Sequence, residues 1–352
     1  MLLLLVLWPL VLLRACVCQA ADAPEDVTAE FSVRLYHQLQ QTGGEENIIF
    51  SPLSVFVALG MVELGARGSS LQEIREAVGY TRFRDDEEFS LLRNLTQTLS
   101  SDQEQYVVRL VNSLFLQTGA HFSDSFLTLM KMYFKAEVET VDFSETDTVA
   151  QHINSWVLNQ TEGKIQQLVS AEDFISSTVI MLVNAVYFRG SWKNQFRPEN
   201  TRTFSFTRDD GSEVQTLMID GSSEAGGVYQ VLEMLYEGEE MSMMLVLPRQ
   251  EVPLASLEPI IKAPLLDEWA NNVKKQKQLG ITSIFNKKAD LSGMMDQSEG
   301  VQGVYIGSAV QKACLEVTEE GAEGAAGSGS ILFMGRVMTP EVIEPFDNNF
   351  DM

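Results

Sequence analysis

The sequence predicts a single α+β domain, with helices concentrated in the first half of the chain and strands in the second. Apolar residues recur at helical spacing in several segments before residue 160, which is typical of amphipathic helices. Short alternating or continuously apolar runs, typical of strands, become frequent after residue 178. No internal repeat or linker divides the 352 residues, of which 45% are hydrophobic, so one large core is expected.

The first predicted helix, Glu25–Gln41, ends before a pair of glycines. Ser51 is a candidate cap and Pro52 suits a first helical turn, so the apolar segment Leu53–Leu64 is predicted to be a buried helix. Gly60 within it should let a neighbouring group approach the backbone closely. The other predicted helices are Leu71–Val78 after a cap at Ser69 or Ser70, Asp85–Leu99, Asp124–Phe134, Asp147–Asn159, Leu254–Ile261 and Leu265–Lys277.

The predicted central strand is Thr178–Phe188. Its residues are apolar at successive positions, which indicates a strand that is buried on both faces of a sheet. The other predicted strands are Asn47–Phe50, Tyr106–Leu116, Ala136–Val141, Thr203–Phe206, Glu213–Met218, Val228–Leu235, Ser242–Leu247 and Ala313–Val317.

The amino-terminal residues are predicted to be a secretory signal peptide. Leu2–Leu13 is apolar but too short to span a bilayer, and small residues suited to cleavage follow it. We therefore expect a signal peptide over residues 1–20 and one domain over residues 21–352. The processed protein is expected to be secreted into the extracellular space.

The net charge and the number of cysteines limit the partners and the disulfide bonds that this chain can have. Forty-nine acidic against 25 basic residues give a formal net charge of −24, which argues against binding to nucleic acid or to an acidic membrane. Such a charge favours a basic partner or simply promotes solubility. Cys16 and Cys18 would leave with the signal peptide, so Cys314 has no disulfide partner and is predicted to be a buried thiol rather than a nucleophile.

The sequence lacks the usual patterns of a catalytic or metal centre. His37, His121 and His152 do not have zinc-ligand spacing, and there is no phosphate-binding loop or dinucleotide fingerprint. We therefore expect no catalytic residue, no metal and no cofactor. Asn94 and Asn159 each begin an Asn-X-Thr sequon and are predicted glycosylation sites, which suits a secretory route.

The stretch Leu315–Ser330 near the carboxyl end begins as an alternating strand, passes into a run in which almost every side chain is small, and permits two interpretations. Glycines and small side chains would let this backbone enter a gap in a sheet, where main-chain hydrogen bonds supply the affinity. The same composition is also typical of a flexible linker. The run by itself does not decide between a strand and a linker.

Several stretches that occur in a fixed order resemble the serpin family. They are Asn47–Ser54 with Glu63–Ser70, then Val183–Trp192, Glu316–Ala326 and Ile331–Val337. The resemblance extends from Val27 to Pro340. It implies a single α+β domain in which helices pack on a large central β-sheet, accompanied by smaller sheets.

The resemblance also implies a function, the inhibition of trypsin-like serine proteases such as plasminogen activators. In this family the protease cleaves an exposed bait loop, and the hinge of that loop inserts into the central sheet as a new strand. The attached protease is distorted before its acyl-enzyme can hydrolyse. The hinge would comprise Glu319, Glu320, Gly321, Ala322, Glu323, Gly324, Ala325 and Ala326.

A polar cluster beneath the central sheet, which helps control its opening, is a further implication of the resemblance. Its members would be Ser51, Ser54, Asn184 and Gln311. Gln311 stands where the family usually has histidine, so hydrogen bonding is kept while titration is lost. Helix capping and ordinary core hydrogen bonding are the alternative explanation for the first three residues.

Segments that the family possesses are missing near residues 218–220, 277–278 and 327–331, so some strands and most of the bait loop are expected to be absent. Residues 321–330 contain no Arg or Lys, which a trypsin-like protease requires, so no scissile bond is identified. The alternative function is a non-inhibitory or defective serpin, from a splice form or an incomplete gene model, acting at most as a binding protein. We expect a monomer with a risk of polymerisation or aggregation, because unpaired strand edges attract further strands.

Overall fold

The computed structural model describes residues 10–15, 27–43, 46–84, 86–99, 106–175, 177–196, 201–207, 213–219, 225–226, 229–238, 241–248, 254–263, 265–266, 316–317, 321–323 and 331–338. No helix within these ranges is both long and apolar enough to cross a membrane.

Of the seven α-helices among the described residues, six lie in the first half of the chain, as the apolar spacing predicts. The seven are α1 (Val27–Gly43), α2 (Pro52–Gly65), α3 (Gly68–Val78), α4 (Glu87–Leu99), α5 (Asp124–Phe134), α6 (Thr146–Gln160) and the short α7 (Leu254–Leu257). Single 3₁₀ turns lie at Tyr80–Arg82, Ala171–Asp173 and Glu258–Ile260. Most of the helix predicted at Leu265–Lys277 lies outside the described residues.

Two helix predictions are wrong in detail. α3 begins at Gly68 with Arg67 at the cap position and no side-chain cap, so Ser69 and Ser70 lie in its first turn instead of capping it. The segment predicted as one helix, Leu254–Ile261, is divided into α7 and a 3₁₀ turn. Pro259 lies at the start of that turn, and because it lacks an amide hydrogen it cannot continue the helical hydrogen-bond ladder.

The strands form two large sheets and a ribbon, and all neighbours are antiparallel except β3 and β4. The five-stranded sheet has the order β11 (Glu316–Val317), β12 (Gly321–Glu323), β5 (Ile180–Ser191), β3 (Tyr106–Gln117), β4 (Glu137–Val141). The six-stranded sheet has the order β2 (Ile48–Phe50), β13 (Ile331–Arg336), β1 (Leu10–Ala15), β10 (Met241–Pro248), β9 (Tyr229–Leu235), β8 (Ala225–Gly226). The ribbon pairs β6 (Thr201–Thr207) with β7 (Glu213–Ile219).

The paired strands β3 and β5 separate two hydrophobic cores. On β5, the even-numbered Ile180 and Phe188 pack into the core that contains residues of α2, α4 and α5. The odd-numbered Met181 and Val183 pack into a second core with residues of α6. Successive side chains of a strand point to opposite faces, so both faces of β5 must be apolar. The prediction of a central strand here is confirmed.

The strand β1 was not predicted from the sequence. Residues 1–20 have the pattern of a signal peptide, yet Leu10–Ala15 lies inside the six-stranded sheet between β10 and β13. A continuous apolar run is typical both of a signal peptide and of a buried strand, so its composition does not distinguish them. Cleavage near residue 20 stays a prediction.

The predicted close approach at Gly60 is confirmed. A Cβ atom at this position of α2 would lie 2.5 Å from Leu92 Cδ1 and 3.1 Å from the hydroxyl oxygen of Tyr80. That hydroxyl donates a hydrogen bond to the Phe56 carbonyl at 2.9 Å. α2 is therefore enclosed by other helices, as its continuously apolar sequence predicts.

A buried charge cluster joins α2, α3 and α4. Arg75 Nη1 lies 2.6 Å from Glu63 Oε1 and 2.5 Å from Glu88 Oε1, and both carboxylate side chains are 1% exposed. The second oxygen of each carboxylate is buried without a hydrogen-bond partner among the described residues. Burial, together with the nearby Glu88, raises the pKa of Glu63 to about 8.

This cluster predicts that folding stability falls as the pH rises from 4.5, the ordinary pKa of Glu63, to about 8. Over that range the folded chain keeps a proton that the unfolded chain releases, at about 1.4 kcal/mol per unit of pKa difference. Glu63→Gln should remove much of this dependence, since its amide is neutral at every pH. Urea unfolding at several pH values measures the effect. The exposed Glu76→Gln is the control, and equal pH slopes for both variants would contradict the prediction.

Candidate site for strand insertion

The first turn of α2 brings two predicted site residues under the central sheet. The Ser51 side chain accepts a hydrogen bond from the Ser54 amide at 3.1 Å, and Pro52 occupies the first turn. The predicted cap is therefore confirmed. Both serines are buried, and α2 contacts β5.

Two asparagines continue the polar contacts from α2 across the central strands. The Ser54 hydroxyl donates to Asn184 Oδ1, and Asn184 Nδ2 donates to Asn112 Oδ1 at 2.6 Å. Asn112 Nδ2 then donates to the Phe134 carbonyl at 3.0 Å. Asn112 and Asn184 are direct register partners in β3 and β5. A continuous chain of hydrogen bonds thus runs from α2 through both strands to the end of α5.

The sequence identified Ser51, Ser54 and Asn184 as a group, and the structure brings them together. Gln311 lies outside the described residues. Asn112 was missed, although it occupies an even-numbered position in an apolar strand, on the same face as Leu114. An amide on that face needs a buried partner, and this is the signal that could have identified it.

The polar cluster anchors β5 to α2. Moving β5 away from α2 would break the hydrogen bond between the Ser54 hydroxyl and Asn184 Oδ1, at about 1–3 kcal/mol for each buried group left without a partner. The cluster can therefore hold the centre of the sheet in one position. The same residues also form the helix cap and the core hydrogen bonds that were the alternative explanation for Ser51, Ser54 and Asn184.

The opposite face of β3 and β5 carries a second set of polar contacts, which the sequence did not reveal. Glu162, just after α6, lies 2.7 Å from Arg109 Nη2 and 3.0 Å from Arg189 Nη1. It also accepts a hydrogen bond from the Tyr187 hydroxyl at 2.8 Å. The Tyr187 hydrogen bond and then the charges of Arg189 and Arg109 hold the pKa of Glu162 below its ordinary value. These contacts tie the end of α6 to both central strands.

Part of the predicted hinge lies in the sheet. β12 pairs in antiparallel register with β5 on one side and with β11 on the other. Gly321 is opposite Ser191, Ala322 is opposite Gly190 and Glu323 is opposite Arg189. For these three hinge residues the structure has a strand and not a linker. The other five, Glu319, Glu320, Gly324, Ala325 and Ala326, lie outside the described residues.

Aromatic side chains lie directly beside the position where β12 pairs. A Cβ atom on Gly190 would lie 2.7 Å from Phe188 Cζ and 3.0 Å from Tyr236 Cδ1. The Trp192 ring stacks on the Tyr236 ring at a centroid distance of 4.4 Å. Gly190 therefore permits an aromatic layer to approach the backbone of β5 next to the hinge.

The other residues singled out from the sequence are the two glycosylation sites, the candidate metal ligands and Cys314. Asn94 on α4 and Asn159 on α6 are exposed, while Thr96 and Thr161 of the same sequons are buried and donate to helix carbonyls. Glycosylation stays a prediction. Among the described residues, no group of three or more His, Cys, Asp or Glu side chains is placed to hold a metal ion. Cys314 lies outside the described residues.

Asn184→Ala should lower the free energy of unfolding by about 1–3 kcal/mol for each buried partner it leaves unsatisfied. Urea unfolding of bacterially produced, unglycosylated protein measures this change. Asn159→Ala removes an exposed asparagine and is the control, for which a change within about 0.5 kcal/mol is expected. Equal effects of the two substitutions would show that the cluster does not stabilise the fold.

Gly190→Ala should destabilise the centre of the sheet, because the added methyl group overlaps Phe188 and Tyr236. Overpacking of this kind typically costs about 1–3 kcal/mol. Thermal unfolding followed by near-ultraviolet circular dichroism reports both the lower Tm and the disturbed aromatic packing. Ser191→Ala, at the next residue of β5, is the control. A Tm for Gly190→Ala equal to that of the unchanged chain would contradict the close packing.

Comparison with known proteins agrees with this architecture. A family profile described as Serpin (serine protease inhibitor) matches residues 26–278 and 275–347 of the chain. Neuroserpin of Mus musculus is 47% identical over 398 aligned positions, which cover 95% of this chain and 96% of that protein. The alignment is longer than the 352 residues of this chain, so the relative has internal segments that this chain lacks.

Solved structures lead to the same conclusion about the fold. Thyroxine-binding globulin in complex with thyroxine superposes with a TM-score of 0.77 at 26% identity, covering 90% of this chain and 99% of that chain. A loop-inserted structure of a cleaved ovalbumin mutant superposes with a TM-score of 0.80 at 24% identity, covering 89% and 99%. The α+β fold expected from the resemblance is confirmed. The chain is not an enzyme: it belongs to the serpin family of protease inhibitors, and its sequence is similar to that of neuroserpin.

Proposed function

We propose that this chain is an extracellular serpin of the inhibitory lineage, directed at trypsin-like serine proteases such as plasminogen activators. The observation that carries the proposal is β12, because Gly321–Glu323 of the hinge already lies as a strand between β5 and β11. Insertion of a hinge at this position is the step by which a serpin traps its protease. The 47% identity to mouse neuroserpin supports the same function.

Physical features of the hinge favour insertion. Each residue that enters between β5 and β11 can form backbone hydrogen bonds on both sides, and glycine and alanine bring no bulky side chain into the gap. Gly324 stands where the family usually has alanine, and glycine loses more backbone entropy on becoming a strand. Insertion should therefore proceed with a smaller gain of stability than with alanine at that position.

Extracellular localisation rests on the sequence. Residues 1–20 have the pattern of a secretory signal peptide, and Asn94 and Asn159 begin sequons on exposed helix positions. The formal charge of −24 suits a soluble protein whose partner carries basic surface. We propose a monomer in this setting, with glycans at the two asparagines.

A second candidate function is a non-inhibitory serpin that acts at most as a binding protein. Residues 321–330 contain no Arg or Lys for a trypsin-like protease. The next arginine, Arg336, is 3% exposed and lies 2.8 Å from Glu258 Oε1, so it is structural and cannot serve as bait. Residues 324–330, between β12 and β13, can span at most about 25 Å, which is short for a loop that must be both inserted and cleaved.

One pair of measurements separates these candidates. The purified chain is incubated with a plasminogen activator and then boiled in detergent, and a covalent complex is expected for an inhibitor. No complex, or simple cleavage of the chain, would favour the non-inhibitory serpin. The second measurement is the Tm after a protease specific for small residues cuts within residues 324–330. A rise in Tm shows that the freed hinge inserts, and an unchanged Tm shows that it does not.

Ala322→Arg should lower the Tm of the uncut chain, because a long charged side chain would have to be accommodated in the sheet at the register position opposite Gly190. Ala322→Ser is the matched control, since a small side chain is kept, and its Tm should equal that of the unchanged chain. Scanning calorimetry of the uncut variants gives the comparison. Equal Tm values for Ala322→Arg and Ala322→Ser would contradict the pairing of this residue with β5.

A further inference from the structure

The strand β1 occupies an interior position of the six-stranded sheet. Its residues pair with β10 from Leu10 opposite Val246 to Ala15 opposite Met241. On the other edge it pairs with β13, where Leu10 is opposite Arg336 and Leu12 is opposite Met334. The segment is antiparallel to both neighbours, so its backbone is bonded on two sides.

The two neighbours of β1 belong to the folded core. Every residue of β13 from Ile331 to Arg336 is buried. On β10, Met243, Met244 and Val246 are buried as well. Without β1, the facing edges of β10 and β13 would present unpaired backbone groups, one strand apart, in the interior of the sheet. These edges form a gap that only an extended peptide can fill with hydrogen bonds on both sides.

The segment that fills this gap lies within the predicted signal peptide. Residues 16–26 separate the end of β1 from the start of α1, and the expected cleavage site near residue 20 lies between them. Cleavage would thus disconnect β1 from the rest of the chain without interrupting either element. A chain cut at this point would keep the gap, but the segment that fills it would no longer be covalently attached.

We propose that the gap between β10 and β13 is a peptide-binding slot whose occupant is the chain's own Leu10–Ala15 segment. A chain that keeps residues 1–20 fills the slot with its own strand. A chain cut near residue 20 has an open slot and binds the same segment as a free peptide. Recognition requires an extended apolar peptide that donates and accepts backbone hydrogen bonds on both edges, so a proline near its centre should prevent binding.

A peptide-addition experiment tests the slot directly. Chain 21–352 is titrated with a synthetic peptide of residues 8–17, and binding and Tm are measured by fluorescence anisotropy and scanning calorimetry. We expect saturable binding of one peptide per chain, a Tm that rises with peptide concentration, and less aggregation. The matched control is the same peptide with Leu12→Pro, which should neither bind nor stabilise. A folded chain 21–352 that ignores the unchanged peptide would overturn the proposal.

The full-length chain provides a test that does not depend on whether the shortened chain folds. In refolded chain 1–352, the amides of residues 10–15 should exchange with solvent more slowly than those of a free peptide by orders of magnitude. Leu12→Pro should lower the Tm, whereas Leu4→Pro, outside β1, should not. Rapid exchange at residues 10–15, or equal Tm values for the two proline variants, would overturn the proposal.

Discussion

The antiparallel pairing of β3 with β5 is the interaction on which the rest of this structure depends. The register runs from Tyr106 opposite Gly190 to Leu116 opposite Ile180, and each strand is 12 residues long. Because side chains alternate along a strand, this single pairing creates the two surfaces on which α2 and α6 pack. A shift of the register by one residue would exchange the two surfaces and separate Asn112 from Asn184.

Polar contacts on both faces hold the pair in this register. Towards α2, Asn184 hydrogen-bonds to the buried side chains of Ser54 and Asn112, where an unpaired polar group is expensive. Towards α6, Glu162 bridges two arginines in a more exposed position, where ion pairs contribute less. The buried cluster therefore specifies the arrangement more strongly than the exposed ion pairs do.

Both large sheets contain a segment that lies between two other strands. In the five-stranded sheet β12 lies between the distant strand β5 and β11, which precedes it by three residues. In the six-stranded sheet β1 lies between β10 and β13, both of which are distant from it in the sequence. The physical reason is the same in both cases, because two facing strand edges offer hydrogen bonds to any extended segment that fits between them.

Local sequence determined the elements whose signals lie in neighbouring residues. Ser51 and Pro52 marked the start of α2, the double-sided apolar run marked β5, and Gly60 marked a close contact, since capping, burial and steric limits act over a few residues. The ordered stretches that resemble serpins determined the family and pointed to the hinge and to Ser54 and Asn184.

Tertiary structure alone decided which distant residues meet. Asn112 joins the polar cluster because β3 pairs with β5, and Glu162 reaches Arg189 because α6 crosses the opposite face. The placement of Leu10–Ala15 inside a sheet depends on the edges of β10 and β13, which no property of that apolar segment encodes. Hydrogen bonding between strands depends on spatial proximity, and proximity across hundreds of residues is set only when the whole chain has folded.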